Sequence, residues 1–198
     1  MSLAANALLT VEEAKTFFGI DIGLTDMEQA QYENYINAAS QEIENYCLRK
    51  FITPESDITE IFDGDGTGEY YVENIPIVGT IVAADVSYRS GIGETWTATS
   101  GTLAYETKTG RVYFTDGNVF GKGKNNWRIQ YSYGYTVANV PADLKMAAIE
   151  LAAIKKKQFD DKVYGVSAIT YPEHTVSYAF DKISESVKAT LNKYKRIP

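Results

Sequence analysis

Cysteine and histidine are almost absent from this chain. Among 198 residues, Cys47 is the single cysteine and His174 the single histidine. A disulfide within the chain is therefore excluded, and so is a zinc site assembled from Cys and His. A reducing compartment suits such a composition. Long apolar runs are missing as well. None approaches the ~20 residues that a membrane helix requires, and no basic start with a small-residue cleavage site marks a signal peptide. No membrane partner is expected. Positive charge is in short supply: 19 Lys and Arg face 26 Asp and Glu, for a net charge of −7. A groove that grips nucleic acid by counterion release carries the opposite balance.

Catalytic signatures are lacking too. There is no G-x-S-x-G elbow and no H-E-x-x-H helix. The pairs Glu12-Glu13 and Asp160-Asp161 fall beside expected helix ends, where exposure explains them. Cys47 lies on an apolar helical stripe with no local base, so it reads as a small buried hydrophobe. His174, in YPEHTVS, reads as a packing or surface residue.

What is present is an ordinary globular composition, 44% hydrophobic and 23% charged, with 15 tyrosines. The length predicts a single domain over 1–198. Charge is uneven along it. Residues 1–56 hold three basic and nine acidic groups, whereas residues 137–198 hold ten and seven. An acidic front and a basic rear suit head-to-tail contact between identical subunits, the arrangement that closes rings.

Two capping boxes open two helices. Thr10 with Glu13 precedes the stripe Val11, Ala14, Phe17, Phe18, which Gly19 stops; Thr25 with Glu28 precedes Tyr32, Tyr35, Ile36, Ala39, Ile43, Tyr46 and Cys47. From 58 to 135 the pattern becomes that of strands, and residues 57–136 read as a β-rich insertion with antiparallel pairing. WRIQYSYGY sends Trp127, Ile129, Tyr131 and Tyr133 one way and Arg128, Gln130 and Ser132 the other. Helix returns in VPADLKMAAIELAAIKKKQFDDK, with Leu144, Ala147, Ala148, Leu151, Ile154 and Phe159 on its apolar face. Residues 163–180 read as an irregular arm or short hairpin. A last helix is expected over 180–195, with Ile183, Val187, Leu191 and Tyr194 aligned.

FDGDGTGEYYVENIPI begins with the spacing of a calcium loop. Asp63 and Asp65 would be its first ligands, but the bidentate Glu due at the twelfth position is Asn74. Pro76 also blocks the helix that should follow. The stretch reads instead as a hairpin turn, Asp63 to Gly68, between ITEIF and EYYVE. GNVFGKGKNNW lacks the P-loop spacing and leads into a strand, so it reads as a hairpin loop with a basic tip.

The ordered set LLTVEEAKTFFGI, DMEQAQYENYINAASQEIENYCLRKF, EIFDGDGTG with NIPI, YSYGY, VPADLKMAAIELA and KATLNKYKRIP resembles the head–tail connector (adaptor, or head-completion) proteins of long-tailed bacteriophages. The resemblance implies an α+β fold with a mostly helical connector core: an N-terminal helix pair, a long third helix and a C-terminal helix, with the β insertion between helices two and three. It implies a non-enzymatic virion protein without cofactors, located in the virion neck and, during assembly, in the bacterial host cytoplasm. Such proteins form a ring, often of twelve copies, beneath the portal protein and carry a stopper or tail-completion protein. DNA passes through without specific binding, and an acidic lumen would let it slide. On this reading Glu33, Glu42 and Glu44 of one subunit would face Lys155, Lys156 and Lys157 of the next. Leu191, Tyr194, Lys195 and Arg196 would dock on the portal. The alternatives are a stopper or tail-completion protein, a β-based calcium- or carbohydrate-binding module and, last, an enzyme.

Overall fold

The computed structural model describes residues 2–20, 23–160, 168–170, 175–177 and 183–196. The chain divides into two compact units: Met1–Arg49 with Val137–Pro198, and Lys50–Thr136.

The first unit is helical. Helix α1 spans Val11–Phe18 and α2 spans Asp26–Cys47. Both begin with complete capping boxes, Thr10 with Glu13 and Thr25 with Glu28, so orphan amides at each N-terminus are satisfied by side chains close in sequence. Helix α3 spans Ala142–Asp160, entered one residue after Pro141, and α4 spans Glu185–Leu191. Helix α2 packs against α1, α3 and α4, and α3 against α4. Tyr32, Ile36, Ala39, Ile43 and Cys47 of α2 meet a core that includes Leu144, Ala147, Ala148 and Leu151 of α3 and Val187 and Leu191 of α4, all buried. A polar stripe on α2 is buried too: Glu33, Ser40 and Glu44. The N-terminal segment lies along it. The Leu8 amide donates to Ser40 Oγ at 3.0 Å, and Asn6 Nδ2 donates to Glu44 Oε2 at 2.8 Å.

The strands of the second unit pair antiparallel; a 3-10 turn, Ala83–Asp85, and an isolated parallel bridge between Ile52 and Tyr135 complete it. Strands β1 (Ile58–Gly64), β3 (Ile77–Val78), β4 (Val86–Tyr88), β5 (Thr97–Ala98) and β8 (Gly123–Tyr133) form one sheet, with β8 at its centre. Strands β2 (Glu69–Tyr71), β6 (Leu103–Tyr105) and β7 (Arg111–Phe114) form a second sheet in the order β2-β7-β6. The two share a core of Phe62, Val86, Val112, Phe114, Phe120, Trp127, Ile129, Tyr131 and Tyr133. The alternation expected for β8 is observed. Trp127, Ile129, Tyr131 and Tyr133 are buried, while Arg128, Gln130 and Ser132 face away from that core.

Several expectations need correction. The fold is α+β, but it is sheet-rich rather than mostly helical, because residues 50–136 form two sheets that bury a core of their own. The stretch Asp63 to Gly68 is not a hairpin turn. Strand β1 pairs with β8, in the register Ile58↔Tyr131 to Phe62↔Trp127, whereas β2 pairs with β7. The turn carries the chain from one sheet to the other, as do residues 115–122 between β7 and β8; the GKNNW that follows is already part of β8. The run PIVGTIVAADVSY holds two short strands, β3 and β4. The last helix is shorter than 180–195, since Ser184 caps it by accepting from the Val187 amide and it ends at Leu191. Phe159 is 44% exposed, not core.

Most of the arm expected over 163–180 lies outside the described residues, as does His174. Within that range Ala168–Thr170 (β9) and Thr175–Ser177 (β10) pair antiparallel.

Candidate functional site

The C-terminal segment is built into the helical unit residue by residue. Leu191 is fully buried and sits beside Cys47, whose thiol donates to the Leu191 carbonyl at 3.6 Å. The Cys47 carbonyl in turn accepts from the Arg196 amide at 2.9 Å. Burial pushes the Cys47 thiol up to about 11, which removes it as a nucleophile at neutral pH. Tyr46 donates its hydroxyl to Asn192 at 2.8 Å, and the Lys195 ammonium lies 5.3 Å from the Tyr46 ring centroid. Tyr194 donates to Asp143, near the start of α3, at 2.6 Å, and Arg49 stands 5.9 Å from the Tyr194 ring. The residues expected to meet a portal thus have anchors on their own chain, with Leu191 as the apolar one.

The expected acid–lysine set is brought together only in part. Lys155 Nζ contacts Glu42 at 2.7 Å within the same chain. Lys156 pairs with Asp160 one turn along α3, and this partner raises its pKa. Lys157 is exposed. Glu33 and Glu44 are only 5% and 7% exposed and lie on the buried polar stripe of α2. A fourth lysine, which pattern reasoning passed over, Lys145, pairs with Glu13 and ties α3 to the start of α1. Burial raises the Glu13 carboxyl, but Lys145 and the Thr10 amide outweigh it and leave it below the usual range.

Beside that ion pair lies an apolar groove of about 400 Å³ lined by Leu9, Thr16, Phe17, Ala142, Met146 and Ile149. Phe17 and Met146 are 47% and 44% exposed there.

The two candidate metal ligands are turned to the backbone. Asp63 sits where the β1–β8 register shifts, and its carboxylate accepts from the Asn125 amide at 2.7 Å. Asp65 accepts from the Thr67 hydroxyl and amide at 2.7 and 2.8 Å, which holds its carboxyl below the usual range. Gly66 adopts a φ of 88° and donates to the Phe120 carbonyl, a conformation that glycine reaches without a Cβ clash. Among the described residues no group of three or more acids, His or Cys is placed to hold a metal.

Sequence reasoning missed two clusters in the β unit. Glu60, 8% exposed, accepts from the hydroxyls of Tyr70 and Tyr131, the latter at 2.7 Å, and from the Glu73 amide. Burial raises its pKa against the pull of those donors. The alternation of ITEIF places Glu60 on the Phe62 side, which was the available signal. The second cluster is Arg89, Trp96 and Arg128. Both guanidinium groups lie over the Trp96 ring, 4.4 and 4.9 Å from its centroid. No local spacing announces it, since the end of β4, the start of β5 and the middle of β8 contribute.

The family model of head completion proteins matches residues 7–197. The chain therefore belongs to the head completion protein family. No curated protein sequence matches it. Its fold is similar to a chain in the neck of an empty gene transfer agent particle computed with C6 symmetry, with a TM-score of 0.62 and 15% identity over 100% of this chain and 94% of that one. It is also similar to a chain of the virion of the native gene transfer agent particle, with a TM-score of 0.59, 18% identity and coverage of 100% and 94%. A chain in the native neck computed with C12 symmetry gives a TM-score of 0.56 at 17% identity, over 100% of this chain and 93% of that one.

Proposed function

We propose that this chain is a structural, non-enzymatic protein of the phage neck. Its copies close into a ring beneath the portal, join the DNA-filled head to the tail and lengthen the DNA channel. The observation that carries this reading is the head completion match, which spans nearly the whole chain. The shared fold with chains from particle necks computed with C6 and C12 symmetry supports a closed ring, taken as one of twelve copies. The four helices form the family's connector core in this proposal, with the β unit inserted between α2 and α3.

The C-terminal end meets the portal, with Tyr194, Lys195 and Arg196 following the anchor Leu191. The stopper or tail-completion protein occupies another face of the ring. The net charge of −7 keeps phosphates from adhering as DNA passes. Assembly takes place in the host cytoplasm and the mature location is the virion neck.

The test is a mass measurement on a mixture of the full chain and its portal. A complex holding twelve copies per portal ring, lost when residues 192–198 are removed, is the expected result. Separate chain and portal at every mixing ratio would refute the reading.

A further inference from the structure

Arg89 and Arg128 form an uncompensated cationic pair in an acidic protein. Arg128 lies on the face of β8 turned away from the core, opposite Ser87 of β4. Arg89 follows β4 and holds the Asn125 carbonyl through Nε at 3.0 Å. Trp96, just before β5, offers its ring to both. Among the described residues neither arginine has a carboxylate within ion-pair distance, and Arg128 Nε is buried with no hydrogen-bond acceptor. Two guanidinium groups beside one aromatic plane form a socket for an anionic group that carries an apolar neighbour.

The helical unit displays the complementary knob. Met27 is 74% exposed, more than any other large hydrophobic described. Asp26 and Glu28 flank it, both exposed and neither ion-paired among the described residues; Glu28 Oε2 also accepts from the Thr25 amide and hydroxyl in the capping box, which fixes the carboxylate at the tip of α2. A methionine thioether suits an aromatic ring, and two carboxylates suit two guanidinium groups. Socket and knob are different patches of one chain, so their contact between copies is heterologous and propagates around a ring. Nucleic acid is the weaker occupant: binding by phosphate neutralisation draws on about six to ten contacts, and here two arginines stand in a chain of net charge −7.

We propose that the Arg89–Trp96–Arg128 socket of one copy receives the Asp26–Met27–Glu28 tip of α2 from a second copy, as the repeating contact of the ring. This inference rests on the neck reading above.

Two experiments on the full chain test it. In the first, a Met27→Cys chain and a Ser90→Cys chain are mixed and oxidised with diamide. Ser90 is exposed beside Arg89, and the native Cys47 is buried with a raised pKa. The mixed disulfide should exceed that of a Glu55→Cys control by roughly tenfold, the gain that a specific contact gives over random encounter. In the second, Asp26→Arg and Arg89→Asp each weaken ring formation on the portal about tenfold, and the double variant recovers it. Rings that form equally well in both single variants, with no excess disulfide, overturn this contact and leave the neck reading standing. A wild-type chain that forms no ring overturns the neck reading, and this contact with it. Duplex-DNA affinity lost in Arg89→Asp, with chain–chain contact unchanged, would show that the anion is phosphate and overturn the proposal.

Discussion

Glu60 is the most informative single residue of the β unit. The residue is 8% exposed, and its carboxylate takes three donors: the hydroxyls of Tyr70 and Tyr131 and the Glu73 amide. Glu60→Ala leaves all three facing an apolar space. Each buried polar group without a partner costs about 1–3 kcal/mol. Removing the carboxylate also lifts its own burial penalty, so a net loss of about 3 kcal/mol is expected. Glu60→Gln keeps the shape and an acceptor oxygen and removes the charge, so it should stay within about 1 kcal/mol of wild type at pH 7. The two separate further with pH. Burial raises the folded pKa of Glu60 above its ordinary 4.5. The unfolded chain therefore loses this proton first as pH rises. The stability contributed by the protonated group is complete below the ordinary value and is lost as pH rises through the folded one. Glu60→Gln should lack that decline. Urea unfolding between pH 4 and 7, followed by tryptophan fluorescence, reads this unit directly, because both tryptophans, Trp96 and Trp127, lie within it. Equal losses for the Gln and Ala variants, or identical pH slopes for Gln and wild type, would refute the reasoning.

Leu191 is fully buried between helices, so Leu191→Ala should cost about 2–5 kcal/mol, seen as a lower unfolding midpoint of the helical unit by circular dichroism. Gly134 has a φ of 92° and a Cβ there would run into the Phe51 carbonyl; Gly134→Ala should destabilise the β unit by more than about 1 kcal/mol while far-ultraviolet spectra of the helices are kept. Cys47 should react with a thiol reagent at pH 8 only as the chain unfolds, because burial both shields the sulfur and raises its pKa to about 11; rapid labelling of the native chain would contradict its placement.

The features legible in the sequence were local ones. Thr10 with Glu13 and Thr25 with Glu28 lie three residues apart, and the capping geometry needs nothing more distant. The alternation through Trp127 to Tyr133 likewise reports which side of one strand is buried. Pairing partners were not legible. Nothing in ITEIFDGDGTGEYYVE tells β1 to join β8, 62 residues on at Asp63 and Asn125, rather than β2 next door; that choice rests on the shared aromatic core of Phe62, Phe120 and Trp127. Charge patterning found Lys155 and Glu42 but assigned them to different subunits, whereas α2 and α3 pack side by side in one chain and close the pair at 2.7 Å. Glu33 and Glu44 fit a solvated helix face by composition. Glu44 is covered by the N-terminal segment, through Asn6, and Glu33 accepts from Gln29 one turn back on α2; helical periodicity alone does not reveal either burial.

The most direct test of the neck assignment is electron microscopy of the full chain bound to its portal. The account predicts a closed ring of twelve copies coaxial with the portal, its channel continuing the portal's, with the C-terminal residues at the junction. Copies attached singly around the portal exterior, or a closed ring that leaves the portal channel blocked, would contradict it.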